Sequence, residues 1–198
     1  MMPFVPWKTT DRAAIDTGAL LRRLAEGDGQ ALGEIYRREA GPVYRYALAL
    51  CGNAAWAADA TQEAFVVLAT KAQGYDVSRG ALGAYLAGVA RHALAALWRE
   101  GRLEVPLPED DEALAPQEAA ASPETLLVQA QDGSLLWAAL RRLPTPFREA
   151  LVLVDLQERP YADAARIAGI EINTLRTRLH RARLKLAALL GADGGSAT

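Results

Sequence analysis

Residues Leu143 to Leu190 read LPTPFREALVLVDLQERPYADAARIAGIEINTLRTRLHRARLKLAALL. Pro146 to Leu156 spaces Phe147, Leu151 and Val154 as the buried side of a helix. Tyr161 to Ala168 is a short helix with the small Ala165 where another helix can cross, and Gly169 is the left-handed residue that ends it. From Ile172 to Leu190, Leu175, Leu179, Ala182 and Leu186 recur at the helical period and form a packing stripe. Asn173, Thr177, His180 and Arg181 fall opposite, flanked by Thr174, Arg176, Arg178 and Arg183. Helix, short helix, glycine turn and cationic helix in this order predict a helix-turn-helix, which lays its last helix in the DNA major groove. The DNA-facing residues are then Asn173, Thr174, Arg176, Thr177, Arg178, His180 and Arg181. Base edges are read mainly from the first turns of such a helix, so Asn173 to Thr177 are better base readers than Arg183 or Lys185.

This cationic helix is a local feature. The 198-residue chain has a net charge of −2, yet Arg176 to Lys185 holds Arg176, Arg178, Arg181, Arg183 and Lys185 and no acid. Hydrophobic residues make up 51% of the chain but aromatics only 7%, and alanine and leucine dominate, which favours packed helices over sheets. No apolar run is long enough to span a bilayer, and MMPFVPWKTTDR lacks the basic start and apolar core of a secretion signal. A cytoplasmic protein without direct membrane insertion is expected. Cys51 is the only cysteine, which excludes an intrachain disulfide and a cysteine-built zinc site. His92 and His180 have no acid at a suggestive spacing, and phosphate-binding glycine patterns are missing. The expectation is a non-enzyme with no catalytic residues, metal, cofactor or small-molecule substrate.

Three zones divide the chain. Residues 14–102 read as helices over Thr17–Glu26, Gly29–Leu50 (with an interruption or kink at Gly41-Pro42), Ala55–Gln73 and Ala81–Arg99. Residues 103–133 hold Pro106, Pro108, Pro116 and Pro123, many acids and no Lys or Arg, and read as a flexible acidic linker with a short helix near Pro123–Gln131. Residues 134–190 are helical again. The fold expected is all-α: two small helical domains joined by a flexible acidic linker, the C-terminal one a helix-turn-helix. On Ala55–Gln73, Ala64, Phe65, Leu68 and Ala72 make a core stripe, while Asp59, Gln62, Glu63, Val66 and Thr70 make a polar stripe with an exposed valine, suited to docking another helix pair.

With these residues in view, the chain resembles extracytoplasmic-function (ECF) sigma factors, the bacterial subunits that direct RNA polymerase to promoters. Leu143 to Arg183 is similar to their C-terminal DNA-binding domain. DATQEAFVVLATKA (Asp59–Ala72) is similar to their polymerase-binding helix, IYRREAGPVYRYALALCGN (Ile35–Asn53) to the helix before it, and GALGAYLAGVARHALAALWRE (Gly80–Glu100) to the helix that meets the minus-ten element. Tyr85 and His92 stand where the family commonly has tryptophan and asparagine, Ala95-Ala96-Leu97 where it commonly has an aspartate, and Asn173 where glycine is frequent.

The resemblance implies several roles. Asp59, Gln62, Glu63 and Val66 would meet the clamp coiled coil of the largest subunit of core RNA polymerase. The loop residues Tyr75, Ser78 and Arg79 would receive a base extruded from the non-template strand, held by stacking and hydrogen bonds, and Arg91 and His92 would contact promoter DNA from the next helix. The C-terminal domain would bind the minus-thirty-five element, and an anti-sigma factor would mask both domains. Another reading of the residues is a conventional dimeric helix-turn-helix regulator that binds a palindromic operator without polymerase. A purely helical adaptor would leave the arginine-rich helix unexplained.

Overall fold

A computed structural model describes residues 17–71, 80–100 and 133–194. The loop carrying Tyr75, Ser78 and Arg79, the linker with its expected short helix and the C-terminal tail lie outside the described residues, as does Ala72 of the expected core stripe.

Among the described residues every regular element is helical. The N-terminal domain consists of α1 (Thr17–Ala25), α2 (Gly29–Cys51), α3 (Ala54–Lys71) and α4 (Leu82–Arg99). The C-terminal domain consists of α5 (Gly133–Arg142), α6 (Thr145–Leu151) with its π-helical extension Val152–Leu156, α7 (Tyr161–Ala168) and α8 (Ile172–Gly194). Local chemistry fixes the ends. Asp28 caps α2 by accepting from the Gln30 amide at 2.8 Å, and Gly52 closes it in the left-handed region at φ 67°. The Asn53 side chain then accepts from the Ala55 and Trp56 amides and opens α3. Gly169, at φ 66°, ends α7, and the Ile170 amide reaches back to the Ala165 carbonyl at 3.1 Å.

Pro42 does not interrupt α2: the helix is continuous from Gly29 to Cys51. Proline cannot donate to the helical ladder and its ring crowds the preceding turn, but Val43, Tyr46, Ala47 and Leu50, which follow it, are buried and hold the helix in place.

The N-terminal core is built around Ile35, Val43, Tyr46 and Leu50 of α2, Ala64, Phe65 and Leu68 of α3, and Leu86, Ala90 and Leu94 of α4. In the C-terminal domain, Leu175, Leu179, Ala182 and Leu186 of α8 are all buried, on the stripe expected from the sequence. Leucines buried in this way contribute roughly 1.5–3 kcal/mol each. On the preceding helix Leu151 is buried as expected, but Phe147 and Val154 are only half-buried, while Val152 and Leu153 are fully inside. Val154 lies in the π-helical segment, where the Gln157 amide bonds to the Val152 carbonyl five residues back. The wider turn rotates the apolar face away from the regular α-helical register.

The two domains touch. α4 packs on α7, and α2 packs on α6 and its π-helical extension.

Two glycines should respond oppositely to alanine. Gly33→Ala, within α2 where a Cβ meets nothing within 4 Å, should stabilise the chain by about 0.5–1 kcal/mol. Gly169→Ala, at positive φ, should destabilise it by about 1–2 kcal/mol. Urea denaturation of the two variants checks both signs.

Candidate nucleic-acid interface

On α8, packing divides the cations that the sequence shows as one run. Arg183 turns inward and forms a two-pronged ion pair with Asp155 of the π-helical segment, Nη2–Oδ1 at 2.7 Å and Nε–Oδ2 at 3.0 Å. Lys185 lies 5.5 Å from the centre of the Phe147 ring. These two cations hold α8 onto α6. Asn173, Thr174, Arg176, Thr177, His180 and Arg181 are exposed, and Arg178 is half-buried at the edge of the same surface.

Within that surface Arg176 is supported from two sides. Its Nη1 donates to Asn173 Oδ1 at 3.4 Å, and its guanidinium lies 5.8 Å from the centre of the Tyr161 ring on α7. The Thr177 hydroxyl donates to the Asn173 carbonyl at 3.0 Å. The first turns of α8 therefore present a partly ordered group of Asn173, Arg176 and Thr177, with Tyr161 beneath it. Sequence reasoning missed Tyr161. The first residue of a short helix beside the glycine turn is the position that could have pointed to it.

On the N-terminal domain, Asp59, Gln62, Glu63 and Thr70 of α3 are exposed, as is the apolar Val66 at 48%. Ala64, Phe65 and Leu68 face the core, so the two stripes of this helix separate as its spacing implies. α2 extends the surface. Tyr36 is 50% exposed, its ring centre 4.7 Å from that of Phe65, and a groove beside it is lined by Ala40, Gly41, Tyr44, Ala58, Thr61 and Gln62. Tyr36 and Tyr44, eight residues apart on one helix, are not among the docking residues expected from the sequence.

On α4, His92 is exposed but Arg91 is turned toward the C-terminal domain, where its Nε donates to Glu149 Oε1 at 2.8 Å. Burial acts to lower the Arg91 pKa, but Glu149 and Tyr46 outweigh it and the net direction is up. Tyr85, which stands where the family commonly has tryptophan, is half-buried against the core.

Among the described residues no group of three or more His, Cys, Asp or Glu is placed to hold a metal ion, and no helix is long and apolar enough to cross a membrane.

Residues 35–103 match the family model for sigma-70 region 2, and residues 134–186 match that for sigma-70 region 4. The chain is 34% identical over 167 residues to the ECF RNA polymerase sigma factor SigE of Mycolicibacterium smegmatis, covering 82% of this chain and 63% of that one. It is 32% identical over 156 residues to the ECF RNA polymerase sigma factor SigM of Bacillus subtilis, covering 79% of this chain and 93% of that relative. The chain belongs to the ECF family of RNA polymerase sigma factors. The solved sigma factor RpoE of Bartonella quintana, in complex with the anti-sigma factor NepR, superposes with a TM-score of 0.61 at 25% identity, over 81% of this chain and 97% of that one. CnrH, solved with the cytosolic domain of CnrY, shares the fold at a TM-score of 0.63 and 23% identity, over 88% of this chain and 97% of that one. The chain spans about two thirds or less of some longer relatives, 63% of SigE and 66% of BldN from Streptomyces coelicolor.

In this ECF-family chain the inward and outward cations of α8 should separate experimentally. Asp155→Ala removes the two-pronged ion pair from the half-buried Arg183 guanidinium and should cost about 1.5–3 kcal/mol of stability. Arg176→Ala, on the exposed face, should stay within about 0.5 kcal/mol of wild type. Thermal denaturation of both variants distinguishes the packing role from a surface role.

Proposed function

We propose that this chain binds core RNA polymerase and directs it to promoters. Residues 14–102 form the domain that meets the polymerase clamp and the minus-ten element, residues 103–133 the linker, and residues 134–190 the domain that meets the minus-thirty-five element. The observation that carries this reading is the exposed face of α3, where Val66 lies among Asp59, Gln62 and Glu63 with Tyr36 and its groove alongside. An isolated helix gains nothing from exposing a valine there. A docked helix pair would cover it and pair with the surrounding polar rim. Family membership supports the same partner, the clamp coiled coil of the largest polymerase subunit. A conventional operator-binding dimer needs no such face and is not favoured.

On the DNA side, Asn173, Arg176, Thr177 and Arg181 reach base edges, while Thr174 and Arg178 hold the backbone and set the register, with His180 on the same face. In the N-terminal domain, Tyr75, Ser78 and Arg79 take an extruded base, and Arg91 and His92 hold the adjoining DNA. Capturing an unstacked base offsets a cost of a few kcal/mol, so opening requires no nucleotide hydrolysis by this chain. The setting is the bacterial cytoplasm. An anti-sigma factor that masks both domains belongs to the same reading, as the Bartonella quintana sigma factor is described in complex with one.

Core polymerase reconstituted with the full chain should give run-off transcripts from promoter fragments upstream of its own gene; absence of a holoenzyme removes the proposal. Asp59→Ala combined with Glu63→Ala should abolish polymerase binding while leaving the helical circular-dichroism signal intact, and unchanged affinity would reassign that face. Arg176→Ala should lose about 1–3 kcal/mol of discrimination at one base pair, read by binding to single-base promoter variants.

A further inference from the structure

The groove between α2 and α3 has aromatic walls and a floor of small residues. Tyr36 and Tyr44 stand eight residues apart on α2, about 12 Å along its axis at roughly 1.5 Å per residue. Ala40 and Gly41 lie between them, and Ala58, Thr61 and Gln62 of α3 form the facing side of a space of about 560 Å³. No charged residue lines it. Tyr36, Gly41 and Ala58 are exposed, so the space opens on solvent. A shallow channel walled by aromatic rings suits an extended backbone. Proline-rich segments are the ligands such channels take, because a Pro-x-x-Pro stretch favours the polyproline II form before it binds and loses little entropy on docking.

The chain carries such a stretch. Residues 1–7 read MMPFVPW, entirely apolar, with Pro3-Phe4-Val5-Pro6 followed by Trp7. No other two of the chain's 10 prolines have this spacing. Polyproline II has about three residues per turn and rises about 3.1 Å per residue. In that form Pro3 and Pro6 share one edge and Phe4 and Trp7 another. Pro3 to Trp7 then covers about 12 Å, which matches the separation of the two tyrosines.

The tether reaches. Arg38 Nη2 donates to Thr17 Oγ1 at 3.1 Å, which fixes the start of α1 against the flank of α2. The stretch Lys8–Asp16 can span about 30 Å. Crossing the exposed side of α2 from Arg38 to the tyrosines takes about one helix diameter, roughly 10–12 Å. A tether of this length supplies an effective concentration in the millimolar range. A contact of about millimolar affinity is then well populated within one chain, while a second copy at micromolar concentration would fill the groove about a thousandfold less.

We propose that the groove between Tyr36 and Tyr44 is the seat of residues Pro3–Trp7 of the same chain, bound as an extended Pro-x-x-Pro ligand. Phe4 and Trp7 cover the tyrosine rings, and the small Ala40, Gly41 and Ala58 let the peptide backbone approach closely. Gln62 belongs both to this groove and to the α3 face assigned above to polymerase, so a seated segment and a docked clamp contend for it. Only this last consequence rests on the reading of the chain as a promoter-directing subunit.

Photocrosslinking of the full chain at micromolar concentration, with Phe4→p-benzoylphenylalanine, tests the seat. Crosslinks within one chain to residues 36–44 of α2 or 58–62 of α3 are expected, mapped by peptide mass spectrometry. Pro3→Ala with Pro6→Ala, which touches no residue of the packed core, should lower their yield about fivefold or more, the factor for losing one interface anchor. Ala58→Glu, at an exposed site, puts a charge in the groove and should do the same while the helical circular-dichroism signal stays intact. Crosslinks between chains make the occupant a second copy and overturn the proposal. Crosslinks that map elsewhere, no crosslinks, or a yield that either variant leaves untouched overturn it as well. Core polymerase should suppress the crosslink, and an undiminished yield in the holoenzyme overturns the contention for Gln62. The crosslink in the chain alone is read without polymerase or DNA, so a failure of run-off transcription strikes the functional reading separately.

Discussion

The carboxylate of Glu149 cannot sit where it does without both of its partners. An ion removed from water costs several kcal/mol unless its oxygens are met by hydrogen bonds and an opposite charge. Tyr46 and Arg91 meet them, and both belong to the other domain. Burial, reinforced by Glu149, holds the Tyr46 phenol well above its ordinary pKa, so the hydroxyl remains a donor. The position of α6 against α2 and α4 follows from this arrangement, and with it the placement of α7 over α4. Glu39, Arg159 and Gln157 extend the same logic. Gly83 leaves space on α4 for the Glu39 carboxylate, and Gln157 accepts from Arg159 Nε at 2.7 Å while donating to α2.

Periodic features were legible in the sequence. Leu175, Leu179, Ala182 and Leu186 are buried and the Asp59–Val66 face is exposed because a helix sorts side chains by spacing, whatever it packs against. The glycine at 169 was equally legible, since a left-handed residue at a helix end has few alternatives. These features located the helix-turn-helix and separated core from surface on α3 and α8.

What depends on a partner distant in sequence was not legible. Glu149 looks like any polar residue on a helix until a tyrosine 103 residues away is placed beside it. Arg183 belongs to the same cationic run as Arg181, and only the π-helical turn that carries Asp155 reveals that it faces inward. The widened turn itself left no pattern in the sequence, so Val154, which lies within it, reads from spacing as more deeply buried than it is. Tyr161 and Tyr36 acquire meaning only through a guanidinium and a ring on neighbouring helices.

The division of labour along α8 gives the helix a polarity. With Arg183 and Lys185 bound to Asp155 and Phe147 toward its C-terminal half, the charge presented to solvent is weighted toward Arg176 and Arg181. That is also the end where the aligned peptide dipoles leave a partial positive charge. Both fields act at the same tip. An approaching polyanion would therefore exert a turning force that swings this end of the helix forward before any base is touched. Orientation in the encounter, rather than strength of attraction, is what the half-buried arginine and lysine contribute by turning part of their charge away from the surface.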